Sequence, residues 1–164
     1  MEYIRVTKEN IEKEHICCAI SNNKDIQVSS KKSWLTERFD DGLVFLKSTE
    51  RGKCFIEYIP AENAWNPIDA DDYMYIDCFW VSGSFKGHGY STDLLNACIK
   101  DSKNKGKKGL CILAAAKKKP FLADPNAPTP ITTYALFSDG YYITNEQMND
   151  KRFLKLLKGG NNQW

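Results

Sequence analysis

No stretch of the 164-residue sequence approaches the roughly eighteen consecutive apolar residues that cross a bilayer, so no membrane partner is expected. The opening residues Met1-Glu2-Tyr3-Ile4-Arg5 lack the basic and then apolar layout of a secretory signal, and the expected setting is the cytoplasm. Histidine is scarce: His15 and His88 stand alone and far apart. Six cysteines occur (Cys17, Cys18, Cys54, Cys78, Cys98 and Cys111), yet none form a CxxC pair. No metal site is expected, and cysteines scattered over core elements read as reduced, buried thiols. A formal charge of +2 is too small to argue for nucleic acid. The lysine clusters at 105–108 and 117–119 have no aromatic side chains between them, so they read as solvated surface. What remains is ordinary globular composition, 42% hydrophobic and 27% charged, with length for one core.

Along the chain, residues 3–6 read as a short strand. Thr7 then caps an expected helix, in which Ile11, His15 and Cys18 recur at helical spacing. A second helix is expected to open at Ser29-Ser30, to run through Trp34, Leu35 and Phe39, and to stop at Asp40-Asp41-Gly42. Residues 43–47 and 54–59 form two strands of a hairpin, and 61–72 a loop. Residues 73–81 form the strongest strand. Apolar on both faces, it is expected at the centre of the sheet, with Tyr75, Phe79 and Val81 on one side and Met74, Ile76, Cys78 and Trp80 on the other. After a glycine-rich turn, Leu94, Leu95, Cys98, Ile99 and Ser102 mark a helix, and 109–115 a buried strand parallel to 73–81.

The turn between that central strand and its helix is the most informative segment. A strand running into glycines and then a helix gathers free backbone N–H groups at a positive helix end, which suits a phosphate. Gly87 and Gly89 would let main chain approach a diphosphate, and the same glycines would serve a simple tight turn. The Gly-Lys-Ser/Thr ending of a P-loop is absent, and Ser91 and Thr92 break the G-x-G-x-x-G spacing.

The run Val81-Ser82-Gly83-Ser84-Phe85-Lys86-Gly87-His88-Gly89-Tyr90-Ser91-Thr92-Asp93-Leu94-Leu95 resembles the acetyl-CoA motif of GNAT acetyltransferases. It departs from that motif at Gly83 (proline), Lys86 (arginine or glutamine) and Ser91 (glycine or alanine). The resemblance implies an α/β fold, a mixed central sheet flanked by helices. It implies acetyl-CoA as co-substrate, its pyrophosphate held by Lys86, Gly87, His88, Gly89, Tyr90 and Ser91. It also implies a pantetheine arm that pairs like an extra strand near Phe79, Trp80 and Val81. A carboxylate inside an apolar strand would take the proton from the attacking amine, and Asp77 and Glu57 are the candidates. Each also fits a structural carboxylate bonded to backbone, or a residue facing solvent.

Residues 1–124 are similar to the YoaP-like branch of this superfamily, on the strength of Glu14-His15-Ile16-Cys17-Cys18-Ala19-Ile20 and Phe55-Ile56-Glu57-Tyr58-Ile59-Pro60-Ala61-Glu62. Residues 125–164 resemble the end of the thioredoxin-like tail of that branch, without its redox cysteines. The chain reads as though a central segment between the two were missing. A hairpin over 131–144 with a helix over 146–157 is expected to complete the sheet, in this chain or swapped into a partner as a homodimer. The expected activity is acetyl transfer to a primary amine of a small molecule or peptide by direct attack, with no nucleic acid involved. The alternative is a non-catalytic acyl-CoA-binding module with an incomplete acceptor site.

Overall fold

In the computed structural model, residues 1–16, 20, 22–51, 54–65, 68, 70–115, 131–137 and 140–143 are described, with backbone alone for 113–115 and the last two segments. Seven strands form one sheet in sequence order: β1 (Tyr3–Val6), β2 (Val44–Ser48), β3 (Cys54–Pro60), β4 (Tyr73–Val81), β5 (Gly109–Ala115), β6 (Ile131–Phe137) and β7 (Gly140–Ile143). Every neighbouring pair is antiparallel except β4 and β5, which are parallel. That pair is joined through α2 (Tyr90–Asn104), because parallel strands need a long crossover. The other long helix among the described residues is α1 (Ile26–Arg38).

Strand alternation sorts β3 between two cores. Phe55 and Ile59 join Val28 and Leu35 of α1, with Phe45 stacked on Phe55 at 4.8 Å between ring centroids. Ile56 and Tyr58 join Leu94 and Cys98 of α2. Each helix buries one stripe: Val28, Lys32 and Leu35 in α1, and Leu94, Cys98 and Ser102 in α2. Of the described cysteines, Cys54, Cys98 and Cys111 are buried free thiols. Burial pushes the Cys98 and Cys111 thiols up to about 12, which leaves them unreactive. No helix among the described residues is long and apolar enough to cross a membrane.

The helix expected after Thr7 is not formed. Residues 8–14 make successive turns, held by Asn10 and Ile11 N–H groups on the Thr7 carbonyl and by Glu14 N–H on that of Ile11. Tertiary contacts override the periodicity: Lys47 Nζ lies 2.8 Å from the Glu14 carboxylate, and Lys32 Nζ donates to the Glu12 carbonyl at 2.7 Å. The next helix begins three residues before Ser29. Asp25 caps it by accepting from Gln27 N–H at 2.8 Å, the role expected of the serines. Its end is as expected. A short 3₁₀ turn (Phe39–Asp41) leads to Gly42 in the left-handed region at φ 89°. A Cβ there would also meet the Pro60 ring at 3.3 Å. Gly42→Ala should therefore lower unfolding free energy by roughly 1–2 kcal/mol in denaturant titration; an unchanged midpoint would refute this.

The hairpin continues the sheet, β6 pairing with β5 from Leu110↔Leu136 to Ala115↔Ile131. β6 in turn pairs with β7 from Tyr134↔Ile143 to Phe137↔Gly140. The proline-rich stretch near 125–130 and the helix expected over 146–157 lie outside the described residues.

Candidate active site

The site begins with a defect in β4. Its ladder with β3 runs from Pro60↔Met74 to Tyr58↔Ile76, then resumes at Glu57↔Cys78 and ends at Cys54↔Val81. Asp77 is the extra residue of this bulge, which bends the strand and re-aims the residues beyond it. Before it, Tyr73 and Tyr75 face the α1 core, and Met74 and Ile76 the α2 core; after it, Cys78 faces α1, and Phe79 and Val81 face α2. The expected grouping of Tyr75 with Phe79 and Val81 is thus corrected, because plain alternation cannot see a bulge. The ladder between β4 and β5 also stops at Ile76↔Ile112. Beyond it, the outer edge of β4 has no strand partner among the described residues.

At the end of β4 the chain makes a 3₁₀ turn (Gly83–Phe85), then passes Gly87 and Gly89, both at φ 81°. Gly89 is the N-cap of α2 and offers no side-chain cap; the first helical bond in this turn runs from Asp93 N–H to the Gly89 carbonyl at 3.1 Å. The N–H groups of Tyr90, Ser91 and Thr92 therefore have no carbonyl ahead of them in the helix, and they add to the positive end of its dipole. A Cβ at Gly87 or Gly89 would meet nothing within 4 Å. What requires glycine here is the left-handed backbone, and the space in front of the loop is open.

A cleft of about 430 Å³ lies at this loop, lined by Phe79, Trp80 and Val81 from β4 and by Phe85, Lys86, Gly87, Gly89, Tyr90 and Ser91. Eight of the nine residues expected to hold the cofactor line it. His88 does not. Its ring stacks on Tyr90 at 5.7 Å and its Nδ1 lies 3.0 Å from the Lys86 carbonyl, so it braces the loop. Phe85, which sequence reading did not single out, lines the cleft and lies 5.5 Å from the Tyr90 ring.

A second depression, of about 470 Å³, is lined by Ser30, Lys31 and Trp34 of α1, Glu57 of β3, Trp65, and Asp77 of β4. The bulge brings the two carboxylates together here. Asp77 Oδ1 accepts from the Trp65 indole N–H at 2.6 Å. Glu57 is fully buried because position 57 falls between Phe55 and Ile59 on the face that α1 covers. Its Oε2 accepts from Lys31 Nζ at 2.8 Å, while its buried Oε1 has no hydrogen-bond partner. Burial pushes the Glu57 carboxyl up to about 7; Lys31 opposes that rise and the Asp77 carboxylate adds to it. Lys31, Trp34 and Trp65 were invisible as site residues in the sequence, since only the packing of α1 and the 61–72 loop brings them to Glu57. No group of three or more His, Cys, Asp or Glu side chains suited to a metal occurs among the described residues.

A mixed sheet that splays after one parallel pair, with an uncapped helix at its mouth, is the architecture of the acetyltransferase class. Two solved structures share this fold at low identity. A Salmonella typhimurium acetyltransferase, solved with its cofactor acetyl-CoA, has TM-score 0.50 at 18% identity, over 72% of each chain. AAC(6')-Iy, in complex with the bisubstrate analogue CoA-S-monomethyl-acetylneamine, has TM-score 0.51 at 12% identity, over 71% of this chain and 81% of its own.

In sequence, the acetyltransferase (GNAT) family matches residues 9–119, and the chain belongs to it. The YoaP-like family matches residues 125–155. "Uncharacterized N-acetyltransferase YoaP" of Bacillus subtilis (strain 168) is 50% identical over 125 residues, covering 76% of this chain and 50% of that protein. The chain thus spans about half the length of that relative.

Proposed function

We propose that this protein moves the acetyl group of acetyl-CoA to a primary amine of a small molecule or peptide, by direct attack in a ternary complex. The observation that carries this reading is the pair of clefts set along one bulged strand, the glycine loop at the end of β4 and a buried carboxylate beside Asp77. The loop fits a diphosphate: free N–H groups of Tyr90, Ser91 and Thr92, a helix dipole and Lys86 supply positive potential, with no side chain at Gly87 or Gly89. The edge of β4 from Phe79 to Val81, without a strand partner among the described residues, offers backbone groups to an extended arm and an N–H to the thioester carbonyl. Acetyl-CoA, when bound, supplies the activated acyl group.

Glu57 and Asp77 then share the proton chemistry. Glu57 suits the base, with a carboxyl raised to about 7 and one oxygen unused. Burial holds Glu57 in that range; Asp77 adds to the rise and accepts from the Trp65 indole N–H. Adjacent family matches at 9–119 and 125–155 support a boundary near 124–125. The buried thiols of Cys54, Cys98 and Cys111 support a cytoplasmic setting.

The test is calorimetric titration with acetyl-CoA, followed by thiol release with a panel of amines. Saturable binding and amine-dependent release of CoA are expected. Binding with no release for any amine would establish the non-catalytic module instead, and absence of binding would remove both readings.

A further inference from the structure

The acceptor itself can be narrowed, on the footing that the depression around Glu57 is where the amine binds. Glu57 is buried, with one oxygen held by Lys31 and the other, Oε1, without a partner. A buried carboxylate oxygen left unpaired is costly, and here it is relieved by a proton shared with the neighbouring Asp77 carboxylate or by a donor seated against the pair. The depression is walled by two indoles, Trp34 and the exposed Trp65, and its described lining holds two carboxyl groups, Glu57 and Asp77, against the one ammonium of Lys31. Excess negative charge beside aromatic faces selects a cation with a flat or apolar stem.

The same inventory argues against a polyamine. Asp77 is close enough to Glu57 to raise its pKa, and Asp77 Oδ1 is taken by Trp65. The two carboxylates therefore serve one nitrogen, and among the described lining residues no separate acidic group awaits a second. We infer that the acceptor is a small monoamine, its primary amino group seated against the Glu57 and Asp77 carboxyl pair and its aromatic or apolar stem lying on Trp34 and Trp65. In the reaction, the amine nitrogen bonds to the acetyl carbon, the carbon–sulfur bond breaks, CoA leaves as the thiol, and Glu57 takes the proton lost by nitrogen.

The whole chain, with acetyl-CoA at saturation, would be assayed for thiol release with 2-phenylethylamine, butylamine, spermidine and a tetrapeptide with a free N-terminus. kcat/KM should be highest for 2-phenylethylamine, with spermidine and the peptide at least ~10-fold lower. Trp65→Ala should raise the KM for 2-phenylethylamine ~10-fold with acetyl-CoA affinity unchanged, and Trp65→Phe, which keeps a ring, should recover most of that loss. Preference for spermidine or the peptide, or equal KM in wild type and Trp65→Ala, would overturn the acceptor class and leave acetyl transfer standing. Loss of acetyl-CoA binding in the wild-type protein would instead remove the reading beneath it.

Discussion

Gly89→Val is expected to weaken acetyl-CoA binding by ~100-fold or more while leaving the protein folded; a β-branched residue in this left-handed region costs on the order of 1–3 kcal/mol. Gly89 has φ 81° and is the residue from which α2 starts. Nothing in the protein lies within 4 Å of a Cβ placed there, so the penalty is conformational rather than a clash. The loop can relieve it by rotating out of the left-handed region, which turns the N–H groups of Tyr90 to Thr92 away from their common focus. Gly83→Ala is the control, since that position is open and its backbone is not left-handed. Calorimetry on both variants decides the matter. Unchanged affinity in Gly89→Val would mean that this loop does not hold the pyrophosphate.

Glu57→Gln should lower kcat ~100-fold or more and remove the acid limb near pH 7 from the kcat/KM profile. The limb should also respond to neighbours with opposite signs. Asp77→Asn takes away a negative charge that raises the Glu57 pKa, so the limb should move to lower pH. Lys31→Met takes away the cation that opposes burial, so the limb should move up. Stability should follow the same group. A folded pKa raised from 4.5 to about 7 means that stability present below pH 4.5 is lost as pH rises through 7. Between pH 4 and pH 8, the difference in unfolding free energy should shift by about 3 kcal/mol in favour of Glu57→Gln over wild type. Stopped-flow pH profiles and urea titrations at both pH values test the two statements. Full turnover in Glu57→Gln would assign the proton to Asp77, to water or to the substrate.

Much of this architecture was legible in local sequence. Tyr73–Val81 and Gly109–Ala115 are apolar on both faces, a pattern with few alternatives in a chain this short, and both strands end where expected. The end of α2 at Asn104 likewise follows from the chemistry of Asn104-Lys105-Gly106, and the placing of the glycine loop at its start from main-chain rules. The segment after Thr7 departs from its helical spacing because a hydrogen bond from Lys32 to the Glu12 carbonyl and an ion pair of Lys47 with Glu14, partners distant in sequence, compete with that periodicity. The start of α1 was not legible because Asp25 and the two serines are all competent caps, and packing of Val28 chose among them.

Sequence alone marked the central strands, the glycine loop between strand and helix, and the two carboxylates inside apolar strands, because each depends on neighbours within a turn or a strand. Tertiary structure alone decided that those carboxylates meet. Asp77 reaches the depression only because one extra residue in β4 shifts its register against Glu57, and a bulge leaves no mark in period-two patterning. It likewise brought Lys31, Trp34 and Trp65 from a helix and a loop to the same carboxylate. Burial, counter-charge and an unpaired oxygen are properties of that assembled neighbourhood rather than of any residue in it.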